Sequence, residues 1–275
     1  MDIDAAVEQH ARLRGMSLKT VKTYLHCIHA FKKQCNKQLH EITKQDVIEY
    51  LDELCKKEKA GSTVNVHLQS IKFFFGVVLK KRLLLSLRGI KKPKKLPVVL
   101  SKEEVHSLIN TIENPKHRLI VELLYGSGLR VGEVIRLRPR DIDLDQMRGW
   151  VRCGKGKKDR MFVIPESIKE KIHLHMKGKW LFSGNNNHHL SIMSVQLIVK
   201  EAAKKAGLYK NVHPHTLRHS FATHLIDAGY PLVVIQTMLG HANMSTTLTY
   251  IKTSSRLHCI KSPLDELNNI PTLSP

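Results

Sequence analysis

Six side chains between residues 130 and 250 combine the chemistry needed to bind an anion and to move protons beside it. Arginine and lysine are cations suited to phosphate oxygens, and histidine exchanges a proton near neutral pH. A tyrosine becomes a nucleophile where surrounding cations stabilise its phenolate. The six residues, in chain order, are Arg130, Lys155, His215, Arg218, His241 and Tyr250.

The sequence around four of these residues favours contact with an anion. Arg130 follows the glycine-rich segment 126–128 and begins an apolar helical pattern, so that both the backbone and a helix N-terminus can approach a phosphate. Lys155 lies between two glycines of a predicted turn, from which it can reach a phosphate or a leaving oxygen. His215 and Arg218 are three residues apart, which places them on one face of a helix.

Most of these features also have a structural interpretation that needs no ligand. Arg130 can pair with Glu133 at an ordinary helix N-terminus, and Lys155 can be a solvated turn residue. Tyr250 has apolar neighbours in the sequence and can be a half-buried core residue. Taken singly, each segment is therefore weak evidence for a reaction.

A zinc site is the competing interpretation of the histidines. His215 and His219 have the i, i+4 spacing seen in some zinc sites, but no Glu follows the first His, as the metalloprotease pattern requires. Arg218 between them would repel a cation. The five cysteines are odd in number and lack C-x-x-C spacing, which is against a zinc ribbon or a disulfide framework. We therefore expect no metal and reduced thiols in a cytoplasm-like compartment.

The first third of the sequence predicts a bundle of three or four short helices. Ser17, Thr43 and Ser62 are suitable N-caps, and apolar residues follow each of them at steps of three or four. The predicted inward-facing residues are Val21, Tyr24, Leu25, Ile28, Phe31, Val47, Tyr50, Leu51, Leu54, Val66, Leu68, Ile71, Phe75 and Val78.

The rest of the sequence predicts further helices around one β-hairpin. Ser101 and Glu104 form a capping box at the start of the first of these helices. Residues 150–165 contain two short β-rich runs, 150–153 and 161–164, around a turn at 154–160 with Gly, Lys and Asp, which predicts an antiparallel hairpin. The predicted helices after the capping box include apolar faces over 119–124, 131–137, 195–206, 216–229 and 232–239.

The chain is strongly basic, and the charge is unevenly distributed. Its 275 residues include 45 Lys and Arg against 24 Asp and Glu, for a formal net charge of +21. Residues 71–97 hold nine of the basic residues and no acidic residue. The surplus indicates a polyanion partner, although a basic protein kept soluble by its charge is the simpler alternative.

The end of this basic segment divides the chain into two predicted domains. Residues 91–97 read Lys-Lys-Pro-Lys-Lys-Leu-Pro, and two prolines in seven residues are incompatible with a regular helix or a central strand. We interpret 91–97 as a basic linker, although a solvated charge run at a helix end is the alternative. The linker joins a helical domain, 1–90, to a mostly helical domain with a small antiparallel β-sheet, 98–275.

Two classes of protein are excluded by the apolar pattern. The sequence has no run of 18 apolar residues, so no transmembrane helix is expected. The acidic N-terminus lacks the basic and apolar regions of a signal peptide.

Taken together and in this order, the segments resemble the tyrosine recombinase, or phage integrase, family, above all its compact Xer-like members. The small helical domain and the basic linker are similar to the family's SAM-like core-binding domain, so the resemblance covers almost the whole chain. The tail segment Ser-Pro-Leu-Asp at 262–265 is similar to integron-type integrases, but the long insertion typical of those enzymes is absent. The segments that carry the resemblance are 125–137, 154–165, 215–229 and 239–250.

The resemblance implies a mainly α fold and a site-specific DNA recombinase. The family cleaves and rejoins DNA through a 3′-phosphotyrosyl intermediate, with neither a metal nor ATP as cofactor. Tyr250 would be the nucleophile, and the two arginines with His241 would bind the non-bridging oxygens of the scissile phosphate. Lys155 would protonate the leaving 5′-oxygen, and His215 would help to take the proton from Tyr250.

The implied partner is double-stranded DNA with an inverted-repeat recombination site, bound by a homotetramer on two duplexes. The implied location is the cytoplasm, in association with the nucleoid and with no membrane. Chromosome or plasmid dimer resolution and mobile-element integration are both compatible with the sequence. Two other functions stay open: a nicking enzyme of the type IB topoisomerase kind, and a DNA-binding protein that has lost catalysis.

Overall fold

The computed structural model describes residues 2–81, 87–90, 96–152, 159–184 and 188–240. The chain divides into an N-terminal unit, Met1–Lys94, and a C-terminal unit, Lys95–Pro275. Each unit has its own apolar core among these residues.

The N-terminal unit is a helical bundle whose helices begin at polar caps. The helices are α1 (Ile3–Leu13), α2 (Leu18–Cys35), α3 (Lys44–Lys56) and α4 (Gly61–Phe73), and a π-helical turn at Phe74–Val78 extends α4. Ser17 and Thr43 cap α2 and α3 as predicted, and Thr43 forms a capping box with Asp46. The prediction for Ser62 was wrong, because α4 begins one residue earlier and follows Ala60, which makes no side-chain cap.

Aromatic side chains fill the middle of this bundle. Phe31 of α2 meets Tyr50 of α3 edge to face at a centroid distance of 5.1 Å, and it meets Phe75 in the same way at 6.3 Å. Most of the predicted inward-facing residues are buried or half-buried. Val66 is an exception, because 37% of its surface is exposed.

The C-terminal unit contains seven helices among the residues that the structure describes. They are α5 (Lys102–Asn110), α6 (Pro115–Gly126), α7 (Val131–Val134), α8 (Lys169–His173), α9 (Ile192–Lys205), α10 (Pro214–Asp227) and α11 (Leu232–Leu239). Short 3-10 turns lie at Pro139–Asp141 and Glu166–Ile168. Ser101 and Glu104 form the predicted capping box at α5. Helix α6 lies at the centre, with its apolar residues from Leu119 to Leu124 buried against its neighbours.

A three-stranded antiparallel sheet lies beside these helices in the order β1-β2-β3. Its strands are β1 (Ile142–Asp143), β2 (Arg148–Val151) and β3 (Arg160–Val163). Gly149 pairs with Phe162, whose ring would lie 2.3 Å from a Cβ at Gly149, so only glycine fits there. The predicted mainly α fold with a small antiparallel sheet is confirmed.

Two local predictions in this unit need correction. Arg160 is the first residue of β3 and does not belong to the turn of the hairpin. Helix α7 has one turn only, because the amides of Arg136 and Leu137 donate to the carbonyls of Glu133 and Val134, three residues back instead of four. Among the described residues, none of the helices combines the length and apolarity needed to span a membrane.

Candidate active site

Three of the six predicted site residues lie in the described part of the chain. Arg130 immediately precedes α7, while His215 and Arg218 lie in the first turns of α10. Lys155, His241 and Tyr250 lie outside the described residues. The geometry of the site is therefore built from the two arginines, the histidine and the groups that hold them.

Glu133 fixes Arg130 at the start of α7. One carboxylate oxygen, Oε1, accepts from Nη1 of Arg130 at 2.7 Å, and the other, Oε2, accepts from its backbone N–H at 2.9 Å. Nη2 of Arg130 donates to the carbonyl of Gly240 at 3.2 Å. The pairing that the sequence allowed as a structural alternative is thus present, and it holds Arg130 without using all five guanidinium donors.

Arg218 is buried, with 2% of its surface exposed. Its two terminal nitrogens donate to the carbonyls of Gly128 and Leu239, each at 2.5 Å. Gly128 has a φ of +58°, and a Cβ there would lie 2.4 Å from the ring of Phe221. The Gly-Ser-Gly segment therefore needs glycine at this position to place the carbonyl that holds Arg218.

A third arginine, Arg160, completes the charge arrangement around Glu133. Its Nη2 lies 2.5 Å from Oε2 of Glu133, and Nη1 of Arg218 lies 3.9 Å from the same oxygen. Burial alone would raise the pKa of Glu133, but the charge of Arg160 and the hydrogen bonds of Arg130 outweigh burial and lower that pKa. Among the residues that the structure describes, these three guanidinium groups and one ionised carboxylate sum to two positive charges in a partly desolvated cluster.

Sequence reasoning missed Arg160, because residues 161–164 are all apolar and do not reveal which side of the strand is buried. In the structure, Phe162 and Ile164 are buried, whereas Met161 and Val163, which alternate with them, are each 44% exposed. Alternation along a strand places Arg160 on the same inner side as Phe162. A charged residue at an inward position requires a buried partner, which the sequence alone does not name.

Two histidines in the first turns of α10, His215 and His219, have lowered pKa values. His213 is the N-cap of the helix and accepts from the amide of Thr216 at 3.1 Å. Desolvation by the surrounding protein lowers the pKa of His215, and the charges of His213, Arg218 and Arg130 add to the effect. Desolvation is also the largest cause for His219, and together with the neighbouring charges of His215, His213 and Arg218 it lowers the pKa of His219 to about 4. His215 is exposed, so a neutral imidazole is available at the surface of the site.

Comparison with known proteins identifies the family. Residues 98–256 match the model described as phage integrase family, and residues 5–84 match the one described as phage integrase, N-terminal SAM-like domain. The chain belongs to the phage integrase family. It is a tyrosine recombinase, an enzyme of the family whose reaction is the cleavage and rejoining of DNA, and its homologues include Xer recombinases.

Individual relatives cover nearly the whole recombinase. Tyrosine recombinase XerA of Pyrococcus horikoshii is 34% identical over 263 residues, which are 93% of this chain and 90% of the relative. A crystal structure of XerA recombinase is 28% identical with a TM-score of 0.55, covering 95% of this chain and 99% of that chain. The post-cleavage complex of XerH recombinase with a palindromic difH substrate shares the fold, at 22% identity and a TM-score of 0.75, covering 97% and 84%.

Proposed function

We propose that this recombinase cleaves and rejoins duplex DNA at a specific site with six residues: Arg130, Lys155, His215, Arg218, His241 and Tyr250. The observation that carries the proposal is the arrangement around Glu133. One buried carboxylate contacts Arg130 and lies 3.9 Å from Arg218, two residues that are 88 positions apart in the sequence. Glu133 supplies a counter-anion for these arginines, and the net positive charge of Arg130, Arg160 and Arg218 around one carboxylate suits a phosphate.

The reaction proceeds by attack of the Tyr250 oxygen on the scissile phosphorus. The bond from phosphorus to the 5′-oxygen breaks, and a 3′-phosphotyrosyl bond forms. Lys155 donates a proton to the leaving 5′-oxygen, and His215 accepts the proton of the phenol. Because the phosphodiester bond energy is kept in the protein–DNA bond, attack by a 5′-hydroxyl rejoins the strand without ATP.

The arginines and His241 stabilise the transition state. Charge increases on the non-bridging oxygens as the pentavalent phosphorus forms, so donors that are already in place lower the barrier. Arg130 and Arg218 are fixed by carbonyl and carboxylate acceptors before DNA arrives, which limits reorganisation. His215 is suited to accept a proton because its lowered pKa keeps the imidazole neutral at pH 7.

The two parts of the chain have different roles in this proposal. The helical domain, 1–90, and the basic linker, 91–97, bind the DNA backbone, and 98–275 forms the catalytic domain. The expected assembly is a homotetramer on two duplexes that carry inverted-repeat sites. The DNA substrate places the enzyme in the cytoplasm, with the nucleoid.

A nicked DNA substrate tests the reaction directly. The nick lies beside the cleavage position, so the short leaving strand diffuses away and the covalent intermediate accumulates. The cognate DNA is first found by selecting protected fragments from random sequence. We expect a covalent adduct with EDTA present and no ATP, which is lost in Tyr250→Phe. Absence of an adduct with wild-type protein on the protected DNA would contradict the proposal and favour a DNA-binding protein without catalysis.

A further inference from the structure

Arg160 makes contacts that the proposed chemistry does not use. Its side chain is 10% exposed, and Nη2 lies 2.5 Å from Oε2 of Glu133. Nη1 donates to the carbonyl of Met238 at 2.9 Å, near the end of α11. The side chain thus joins the first residue of β3 to α7 and α11, three elements that are distant in the sequence.

The end of α11 is held by three arginines in succession. The carbonyls of Met238, Leu239 and Gly240 accept from Arg160, Arg218 and Arg130 respectively. The last carbonyls of a helix have no partner within the helix, and the helix dipole favours cations there. The position of this helix end therefore depends on the positions of Arg130 and Arg218, and theirs depend on it. We call these two residues the clamp arginines.

Gly240 is shaped to receive Arg160. It ends α11 with a φ of +61°, and a Cβ there would lie 2.4 Å from Cδ of Arg160 and 2.7 Å from its Nε. The side chain of Arg160 occupies the space that any other residue at 240 would need. This close approach fixes the point where the chain leaves α11 toward position 241.

A purely structural residue at this place would not need a positive charge. Desolvation by burial lowers the pKa of Arg160, which means that burying its charge is unfavourable, and the carboxylate of Glu133 offsets part of this cost. An apolar side chain of similar length would fill the same volume without that cost. The guanidinium is needed because it places Glu133, and Glu133 in turn holds Arg130 by two hydrogen bonds.

We propose that Arg160 is a positioning residue for DNA cleavage, which acts through Glu133 and the end of α11 to hold Arg130 on the scissile phosphate. This inference rests on the proposed function, in which Arg130 binds a non-bridging oxygen. Arg160 itself does not contact the DNA in this account. Its loss should slow the chemical step and leave DNA affinity nearly unchanged.

The test compares Arg160→Met with Arg148→Met on the nicked substrate under single-turnover conditions. Arg148 is an exposed arginine of the neighbouring strand β2, so the control makes the same chemical change outside the cluster. We expect Arg160→Met to lower the cleavage rate at saturating DNA by about 10- to 100-fold, as for a small displacement of a catalytic group. The Kd for DNA should change by less than about threefold, and Arg148→Met should cleave at the wild-type rate. An Arg160→Met rate within about threefold of wild type would overturn the inference.

A double-mutant cycle shows whether Arg160 acts through Glu133. If it does, adding Arg160→Met to Glu133→Gln should slow cleavage by less than about threefold, far less than in the wild-type background. Removing one positive and one negative charge keeps the net charge of the cluster unchanged, so the double variant remains informative if a single variant folds poorly. Arg160→Lys, which keeps the charge, should recover part of the rate. Fully independent effects of the two substitutions would contradict the inference.

A change in the substrate distinguishes a role of Arg160 in positioning Arg130 from a general disturbance of the protein fold. A neutral methylphosphonate at the scissile position removes one negative charge and so reduces the need for Arg130. The rate ratio of wild type to Arg160→Met should then fall, whereas an unchanged ratio would overturn the inference. The outcomes of the two proposals can be distinguished. If the wild-type protein forms no adduct, the proposed function is wrong. If the wild-type protein forms the adduct and Arg160→Met forms it at the same rate, only the proposed role of Arg160 is wrong.

Discussion

At the scale of single residues, Arg218 shows how closely structure and chemistry are linked in this site. Both terminal nitrogens of its guanidinium donate to backbone carbonyls, and the side chain is almost completely buried. A lysine keeps the charge but lacks the two-pronged planar donor set.

We therefore predict that Arg218→Lys lowers the single-turnover cleavage rate by ~10²–10³-fold, the range seen when one transition-state donor is removed. Gel analysis of adduct formation on the nicked substrate measures this rate. Arg148→Lys, the same exchange at an exposed position, should cleave like wild type. A rate for Arg218→Lys within tenfold of wild type would show that its fork of donors is not needed.

His219 gives the protein a specific dependence of stability on pH. Its pKa is about 4 in the folded protein against 6.5 for an unperturbed histidine, so the unfolded chain binds more protons between these values. The free energy of unfolding should therefore rise from pH 4 to pH 6.5, and the contribution should be complete above pH 6.5. The full shift corresponds to ~3 kcal/mol, and partial solvent exposure reduces this to about 1–2 kcal/mol.

Urea unfolding of wild type and His219→Gln at several pH values measures this contribution. The difference in unfolding free energy between the two proteins should grow by about 1–2 kcal/mol from pH 4 to pH 6.5. His173→Gln, at an exposed position at the end of α8, serves as the control. A difference that does not vary with pH would contradict the assignment.

Local spacing predicted only part of the residue contacts. The pair Arg130 and Glu133 could be read from an i, i+3 spacing at a helix start, and the structure contains it. Arg160 contacts Glu133, which is 27 positions away in the sequence, and Met238, which is 78 positions away. The periodicity of apolar residues contains no information about contacts at such separations. The sequence therefore predicted the pair of Arg130 and Glu133 but not the contacts of Arg160 with Glu133 and Met238.

At the scale of elements, the predictions that held were those with a local physical cause. Ser17, Thr43 and Ser101 accept from amides in the first turns of their helices, and α11 has the predicted bounds because Gly240 ends it in a left-handed conformation. Helix α7 was predicted too long because its apolar periodicity continues to Leu137. The amides of Arg136 and Leu137 instead donate to carbonyls three residues back, and apolar periodicity does not distinguish this tighter turn from a continuing α-helix.

The glycine-rich turn between α6 and α7 yields a prediction about stability. Gly128→Ala combines an unfavourable φ of +58° with a Cβ placed 2.4 Å from Phe221, so we expect a loss of about 2–4 kcal/mol. Gly207 has a similar φ of +68° but open space around it, so Gly207→Ala should cost only about 1 kcal/mol. Urea unfolding of both variants measures the difference. Equal losses would show that Phe221 does not restrict the turn.

At the scale of the whole molecule, the positively charged residues have two proposed roles. In the proposed mechanism, Arg130 and Arg218 act on one phosphate, and the rest of the net charge of +21 is available for binding along a DNA backbone. Binding that neutralises backbone phosphates releases counterions, so affinity should fall steeply with salt. The basic linker is expected to contribute to this term and not to the chemical step.

Lys94→Gln and Lys95→Gln together should therefore weaken DNA binding and reduce the slope of log affinity against log salt by about 1 per lysine. The cleavage rate at saturating DNA should stay at the wild-type value. Lys56 and Lys57 are already paired with Asp52 and Glu53 on α3, so the matched control replaces these two lysines by Gln. Fluorescence anisotropy over a salt series gives both slopes. Equal slopes for the linker variant and wild type would remove the linker from the DNA contact.

The central claim is that one tyrosine carries the DNA during the reaction, beside a clamp built on Glu133. Protease digestion of the covalent adduct, followed by mass spectrometry of the peptide that retains nucleotides, identifies the attached residue. The account predicts a single modified peptide with the DNA 3′-phosphate on the oxygen of Tyr250. Attachment to any other residue, or through a 5′-phosphate, would contradict it.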